Sequence, residues 1–353
     1  MQQSALIEPA AVPAGAVGDD GQAVADMERT SALQRTLGLL ASLRLTLVLL
    51  VLLAAGIMAA YRYEAQRTWP LVVPLILLAG NLLAAVASNR AFRRQLPLLV
   101  FHLCLVAILL LVAAGRLSYL KGQTELTDGE TFAGQLSMSE AGPWHGDSLA
   151  KVRFVNEGFT VAYSAGLQRD QTRNRVAWLA ADGGWRHEEI GDQEPLRVAG
   201  YRFYTSFNKG FAPLFRWQPD SGPALAGAVH LPAYPLHEYR QAREWTPPGG
   251  RTPVWVMLQF DELLLDPAKP SEFHLPRDYE LVVRVGDTRH TLRPGESLRL
   301  ADGILTLDEL KTWMGYTVFY DWTLPWLFAA CAVAAASLGA HFWRRFAAKP
   351  WDA

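Results

Sequence analysis

The sequence has 353 residues, of which 50% are hydrophobic and 19% are charged, and its formal net charge at pH 7 is −1. A chain with nearly balanced charge has no basic surplus with which to bind nucleic acid. Its two cysteines, Cys104 and Cys331, lie inside apolar runs, which excludes a disulfide framework in the more polar remainder. The sequence has no Cys-x-x-Cys-His motif, so no c-type haem is covalently attached to this chain.

The N-terminal segment 1–36 has no apolar stretch following a basic start, so it does not resemble a secretory signal. It is rich in alanine, glycine, aspartate and glutamine, a composition that is typical of disorder. We therefore predict a disordered cytoplasmic tail over 1–36, and a second cytoplasmic tail at the other end of the chain, over 344–353.

Four apolar runs are long enough to cross a bilayer, since roughly 30 Å of hydrocarbon needs about 20 residues of helix. We place these transmembrane helices at about 37–61, 68–89, 95–115 and 322–343. The first is interrupted by Arg44, whose long side chain reaches the membrane interface. The second and third contain no charged residue, and His341 is the one basic side chain of the fourth.

Lysine and arginine are unequally distributed near the ends of these spans, and this inequality predicts the orientation. Nine such residues lie on the side of the two termini and four lie on the other side. The nine are Arg29, Arg35, Arg44, Arg90, Arg93, Arg94, Arg344, Arg345 and Lys349, and the four are Arg62, Arg67, Arg116 and Lys121. We therefore expect both termini in the cytoplasm and the segment 116–321 outside it.

The segment 116–321 alternates apolar and polar residues over short stretches that are separated by glycine and proline turns. The clearest stretches are 151–155, 159–163, 176–179, 196–198, 254–258, 279–285 and 303–307. An alternation of period two indicates strands with one buried face. We predict a large extracytoplasmic antiparallel β-rich domain, a sandwich or an open barrel, between the third and fourth transmembrane helices.

One part of this segment is unusually aromatic. It contains Phe203, Tyr204, Phe207, Phe211, Phe215 and Trp217. Core packing is the simpler interpretation. The other is a surface that holds an apolar ligand or an unfolded polypeptide.

The segment also contains six histidines, and none has the close spacing of a metal site. They are His145, His187, His230, His237, His274 and His290. His230 and His237 are separated by prolines, which does not favour shared metal binding. Since there is also no phosphate-binding loop and no complete nucleophile motif, we predict no catalytic residue and no metal site.

His102 lies inside the third predicted span, about 10 Å from its start by helical rise. An ionisable side chain at that depth is costly and indicates a functional site. One hypothesis is axial ligation of haem iron, and the other is a hydrogen bond to another helix, for example to Asn81. His341 is a second, shallower haem-ligand candidate, and its depth differs from that of His102 by about 7 Å.

Several motifs follow one another along the chain: 42–50, Trp69 with Asn81 and Arg90, Phe101-His-Leu103, Gly122 with 126–130, 194–196 with 200–204, and 316–318 with Asp321. In this order they resemble the ResB family, also called CcsB, of system II cytochrome c biogenesis. The resemblance covers 37–346. The chain departs from the family at Thr205, where a glutamine is usual, and at 321–323, which replaces Asp-Pro-Gly.

The resemblance implies a multi-pass protein of the bacterial inner membrane with a periplasmic domain. It implies a complex with a haem-handling membrane partner of the CcsA or ResC type, which delivers haem and presents apocytochrome c for covalent attachment. This chain would be an accessory subunit of that holocytochrome c synthase complex and not an enzyme on its own. His102 would be the transmembrane axial ligand of a transient haem, and the partner would supply the second ligand.

Two other functions stay open. One is a membrane-anchored scaffold or binding protein without a role in haem handling, which suits a large domain that lacks cysteines and catalytic motifs. The other is a redox subunit with b-type haem, which needs well-aligned histidine pairs. This chain offers only His102 and the shallower His341 for such a pair.

Overall fold

The computed structural model describes residues 37–62, 68–236 and 240–347, without the side chains of Ala91 and Arg93. The tail predicted at 1–36 and the histidine His237 therefore lie outside the described residues. The chain divides into two compact units, one formed by Met1–Arg116 with Thr323–Ala353 and the other by Leu117–Trp322.

Four helices are long and apolar enough to cross a membrane within the described ranges. They are α1 (Leu43–Arg62), α2 (Trp69–Ser88), α4 (Leu96–Ser118) and α5 (Leu324–Ala347), and a short helix α3 (Arg90–Arg94) precedes α4. This order confirms the prediction of three spans, a β-rich region and a final span. The first helix begins later than the predicted residue 37, because the helical residues 37–40 end at a turn before Leu43.

α1 and α2 pack together through small and polar residues. A Cβ at Gly56 would lie 2.1 Å from the Pro70 carbonyl oxygen, so only glycine allows this approach. Asn81 accepts a hydrogen bond from Thr46 Oγ1 at 2.6 Å and donates one to the Leu40 carbonyl oxygen. Close backbones and satisfied polar groups of this kind stabilise helix pairs in lipid, where hydrophobic driving force between helices is absent.

The β-rich unit has sixteen strands in its described residues. They are β1 (Leu120–Thr127), β2 (Thr131–Phe132), β3 (Met138–Ala141), β4 (Phe154–Ser164), β5 (Gln168–Leu179), β6 (Trp185–Gly191), β7 (Leu196–Val198), β8 (Tyr201–Pro219), β9 (Leu225–Ala228), β10 (Ala242–Trp245), β11 (Val254–Gln259), β12 (Ser271–Glu272), β13 (Glu280–Val285), β14 (Thr288–Leu292), β15 (Ser297–Leu300) and β16 (Gly303–Tyr320).

These strands form three sheets. The 7-stranded sheet has the order β3-β1-β16-β8-β7, with β15 paired to β16 and β9 paired to β8. The 5-stranded sheet has the order β12-β4-β5-β6 with β2 paired to β4, and the 4-stranded sheet has the order β10-β11-β13-β14. Every strand pairing is antiparallel. This confirms the predicted antiparallel β-rich region.

The two longest strands, β8 and β16, form one long ladder, with two register shifts, that contributes to two hydrophobic cores. One end of the ladder packs with residues of β4 and β5 and contributes Tyr201, Phe203, Met314, Tyr316 and Val318. The other end packs with residues of β11 and β13 and contributes Phe211, Phe215, Trp217, Leu305, Leu307 and Leu310. Core packing thus explains most of the aromatic stretch, whereas Phe207 is 69% exposed.

A buried hydrogen-bond network joins the 7-stranded and 5-stranded sheets. The Tyr316 hydroxyl donates to Asn174 Oδ1 at 2.7 Å, and Asn174 Nδ2 donates to Asn156 Oδ1 at 2.7 Å. Asn156 Nδ2 then donates to the Leu126 carbonyl oxygen at 3.0 Å. Burial raises the pKa of the Tyr316 hydroxyl, which therefore remains a hydrogen-bond donor at neutral pH.

The substitution Tyr316→Phe tests this network, because it removes the hydroxyl and leaves a buried oxygen of Asn174 without its donor. We expect the free energy of unfolding to fall by about 1–3 kcal/mol. The measurement is chemical denaturation of the full chain in detergent, followed by tryptophan fluorescence. Tyr204→Phe is the matched control, since the half-buried Tyr204 makes no hydrogen bond through its hydroxyl to any described residue. Equal losses in the two variants would show that the network contributes nothing.

Candidate functional site

The His102 side chain lies near the start of α4, about 9 Å of helical rise beyond its first residue. Its Nδ1 atom is 2.8 Å from the carbonyl oxygen of Leu98. A carbonyl oxygen only accepts hydrogen bonds, so Nδ1 carries the proton in this contact. In the tautomer that is protonated only at Nδ1, Nε2 keeps a lone pair, and no described residue forms a hydrogen bond with it.

Two aromatic side chains pack against the His102 ring. The ring centroid of Phe92, on α3, is 4.6 Å from that of the imidazole, and the ring of Phe101 is 5.2 Å away. The imidazole remains partly exposed between them. The corner between α3 and α4, together with the hydrogen bond to Leu98, therefore holds the ring in one orientation.

Asn81 does not form the hydrogen bond to His102 that the sequence left open as an alternative. Its side-chain oxygen accepts from Thr46, and its nitrogen donates to the Leu40 carbonyl oxygen. The physical reason is the packing of α1 on α2, which places the amide of Asn81 against the N-terminal end of α1. His102 satisfies its own N–H within α4 instead.

His341 lies six residues before the end of α5 at Ala347, and its ring contacts the neighbouring ring of Phe342 at 5.5 Å. Neither a hydrogen bond nor a ring contact joins His341 to His102 among the described residues. His341 therefore stays a haem-ligand hypothesis from the sequence, without a contact to His102 among the described residues.

The surroundings of His102 fit an axial ligand of haem. Ligation needs an unprotonated ring nitrogen, and a hydrogen bond at the other nitrogen fixes that tautomer. Leu96 and Leu103 of α4 are 66% and 42% exposed, which leaves apolar surface on the helix that carries the imidazole. Such a surface suits a large flat apolar group or a second membrane protein.

A second polar cluster lies in the β-rich unit, at a cleft with a volume of 510 Å³. His230 Nδ1 is 2.9 Å from Glu125 Oε2, and His230 Nε2 is 3.0 Å from Thr127 Oγ1. The hydrogen bond from His230 lowers the pKa of the Glu125 carboxyl group. Because both ring nitrogens have partners, His230 offers no free lone pair to a metal, and the described residues contain no cluster of three metal-ligand side chains.

Lys209 is the unexpected polar residue of the aromatic stretch. Its side chain, on β8, is 1% exposed, and it makes no hydrogen bond or ion pair with any described residue. Burial and the nearby positive charge of Arg169 lower the pKa of its amine to about 8, against the opposing effect of Asp192. Sequence reasoning missed this residue. The available signal was a lysine in the middle of a run of core aromatic residues.

Residues 79–233 match the model of the ResB-like family. This segment is ResB-like. The match confirms the resemblance that the sequence motifs indicated. The ResB-like segment contains His102, the cluster around His230, and Lys209, whereas His341 lies outside it.

Among solved structures, one similar chain is named Cytochrome c Heme Lyase CcmF, with 14% sequence identity and a TM-score of 0.26. The similarity covers 86% of this chain and 35% of that chain, so the present chain spans only about a third of that protein's length. The comparison with curated proteins gives no match.

The substitution Lys209→Met tests the cost of the buried amine in the ResB-like segment. The pKa of Lys209 is about 8 in the folded state and 10.5 ordinarily, so the unfolded chain binds more protons between these values. The wild type should therefore gain stability as the pH rises from about 8 to about 10.5, and the variant should not. At pH 7 we expect the variant to be more stable by up to about 3 kcal/mol.

Denaturation of both proteins in detergent across pH 7–10.5 measures this difference. Lys311→Met is the matched control, because Lys311 has an acidic partner, Glu309, at 3.5 Å. A stability difference between Lys209→Met and the wild type that stays constant with pH would contradict the assignment.

Proposed function

We propose that this chain is a membrane subunit of cytochrome c biogenesis that acts with a haem-handling membrane partner of the CcsA or ResC type. Its role is to help deliver haem and to present apocytochrome c for covalent attachment. The ResB-like segment supports this proposal, and so does the arrangement of three helices, a large β-rich unit and a final helix. The single observation on which the proposal depends is the position of the His102 imidazole. It lies on an apolar helix, and its Nε2 atom forms no hydrogen bond with a described residue.

In this proposal His102 is one axial ligand of a transient haem. Bound haem supplies the porphyrin that is later attached to the client cytochrome. The Leu98 carbonyl oxygen holds the proton on Nδ1, so that Nε2 presents its lone pair, and Phe92 and Phe101 limit rotation of the ring. The second axial ligand is expected from the partner, as the resemblance to the ResB family implies.

We further propose that both termini are cytoplasmic and that the β-rich unit is periplasmic. The excess of lysine and arginine on the side of the termini supports this orientation. The client and the β-rich unit are then on the same side of the membrane, where apocytochrome c receives its haem.

The substitution His102→Ala tests the ligand in the complex purified with its co-expressed partner. We expect haem content to fall about tenfold, since even a residue that only orients a metal ligand contributes tenfold or more to affinity. His102→Met should retain haem but shift its Soret absorption, which a purely structural role for His102 would not produce. The measurements are the pyridine haemochrome assay and the absorption spectrum.

Cys104→Ala, two residues along the same helix, is the matched control and should retain haem. His341→Ala should also retain haem. Loss of haem from the His341→Ala variant would place the second axial ligand on this chain. Unchanged haem in His102→Ala would remove the ligand assignment. Normal c-type cytochromes in a deletion strain would instead favour a scaffold without a haem role.

Protease treatment of intact spheroplasts tests the orientation. We expect cleavage within 117–322, because this unit would face the added protease, and protection of an epitope tag at the C-terminus. Immunoblotting of the tagged chain measures both. A protected β-rich unit together with a cleaved tag would reverse the proposed orientation.

A further inference from the structure

The ladder between β8 and β16 is interrupted at the exposed residue Phe207. β8 leaves the ladder for the three residues 206–208, between the pair Thr205–Tyr316 and the pair Lys209–Met314. Gly315 alone lies opposite, and a Cβ on it would be 2.6 Å from Ser206 Oγ. Bulges re-aim side chains and are common beside functional sites.

Two buried polar groups flank this bulge, and neither has a hydrogen-bond partner among the described residues. One is Thr205 Oγ1, and the other is the side chain of Lys209, which is buried as a whole and makes no hydrogen bond with a described residue. Thr205 is 8% exposed and Lys209 is 1% exposed. An unpaired buried polar group costs free energy, so two within five residues of one strand call for a physical explanation.

The charges around the bulge do not balance. The Arg169 guanidinium lies 4.1 Å from the centre of the Phe207 ring and 2.9 Å from Asp192. Asp192 also accepts a hydrogen bond from the Thr172 amide at 3.3 Å. The amine of Lys209 is within electrostatic reach of both Arg169 and Asp192. The side chains of Lys209 and Arg169 therefore share the carboxylate of Asp192, which Arg169 and the Thr172 amide already contact. One of the two positive charges has no negative partner.

We propose that Lys209, Thr205 and Arg169 bind the carboxylate of a small aromatic acid whose ring packs against Phe207. A single uncompensated positive charge matches a monoanion better than a phosphate ester. The Thr205 hydroxyl donates to the same carboxylate, which removes both unpaired buried groups at once. The exposed Phe207 ring supplies a flat apolar surface for an aromatic ligand.

This inference goes beyond the proposed function, because the site lies in the β-rich unit and uses no residue of α4. If His102 proved not to bind haem, the inference about the β-rich unit would still stand. The variant His102→Ala should bind the aromatic acid as the wild type does, so the two proposals are separable in one preparation.

Isothermal titration calorimetry of the full chain in detergent at pH 7 tests the site, with 2-naphthoate as the probe. We expect 2-naphthoate to bind about tenfold or more tightly than the uncharged 2-naphthamide, since a charge-assisted hydrogen bond contributes that much. Lys209→Met should remove the preference for the acid. Phe207→Ala should weaken binding of both compounds, because the ring contributes to both.

Lys311→Met is again the matched control, since it removes a lysine of the same unit that has an acidic partner. It should bind 2-naphthoate as the wild type does. Thermal unfolding of each variant shows whether it is folded, so lost binding is not mistaken for lost structure. Equal binding of the acid and the amide by the wild type, or full binding of 2-naphthoate by Lys209→Met, would overturn the proposal.

Discussion

The antiparallel ladder between β8 and β16 is the interaction on which the β-rich unit depends. It pairs Tyr201 with Tyr320 at one end and Pro219 with Gly303 at the other. Each strand buries side chains in two different cores, so the ladder connects what would otherwise be two separate sheet packings. β1, β7, β9 and β15 all pair with one of these two strands. A slip of one residue in this register would turn buried aromatic rings toward water.

Polar groups in apolar surroundings divide into two kinds in this protein. Asn81 and Asn174 are buried, and each satisfies its amide with defined partners, so they join helices or sheets. His102 and Lys209 each have a side-chain nitrogen that forms no hydrogen bond with a described residue. Since folding alone does not favour an unpaired polar group, the second kind is where ligands are expected. This contrast supports both proposals by the same physical argument, although they concern different ligands.

Much of the architecture was predictable, because the relevant patterns are local. The lengths of the apolar runs predicted the four helices, and alternation predicted strands such as β7 and β11. The predicted stretch 159–163 and the last two residues of the predicted stretch 151–155 lie in the single strand β4, because a register shift within it tolerates Glu157 and Gly158. The continuous length of β8 was not predicted, since its bulge and Gly210 interrupt the alternation.

The candidate site was predictable only in part, and the difference has a physical cause. The sequence by itself determined that His102 lies within an apolar helix, and helical geometry alone brings it to the carbonyl oxygen four residues earlier. Only the tertiary structure brought Asn81 to α1. Only it placed Lys209 near Arg169 and Asp192, with an amine that forms no hydrogen bond with a described residue. Those contacts join residues far apart in the chain, and no periodic pattern records which distant strands and helices will meet.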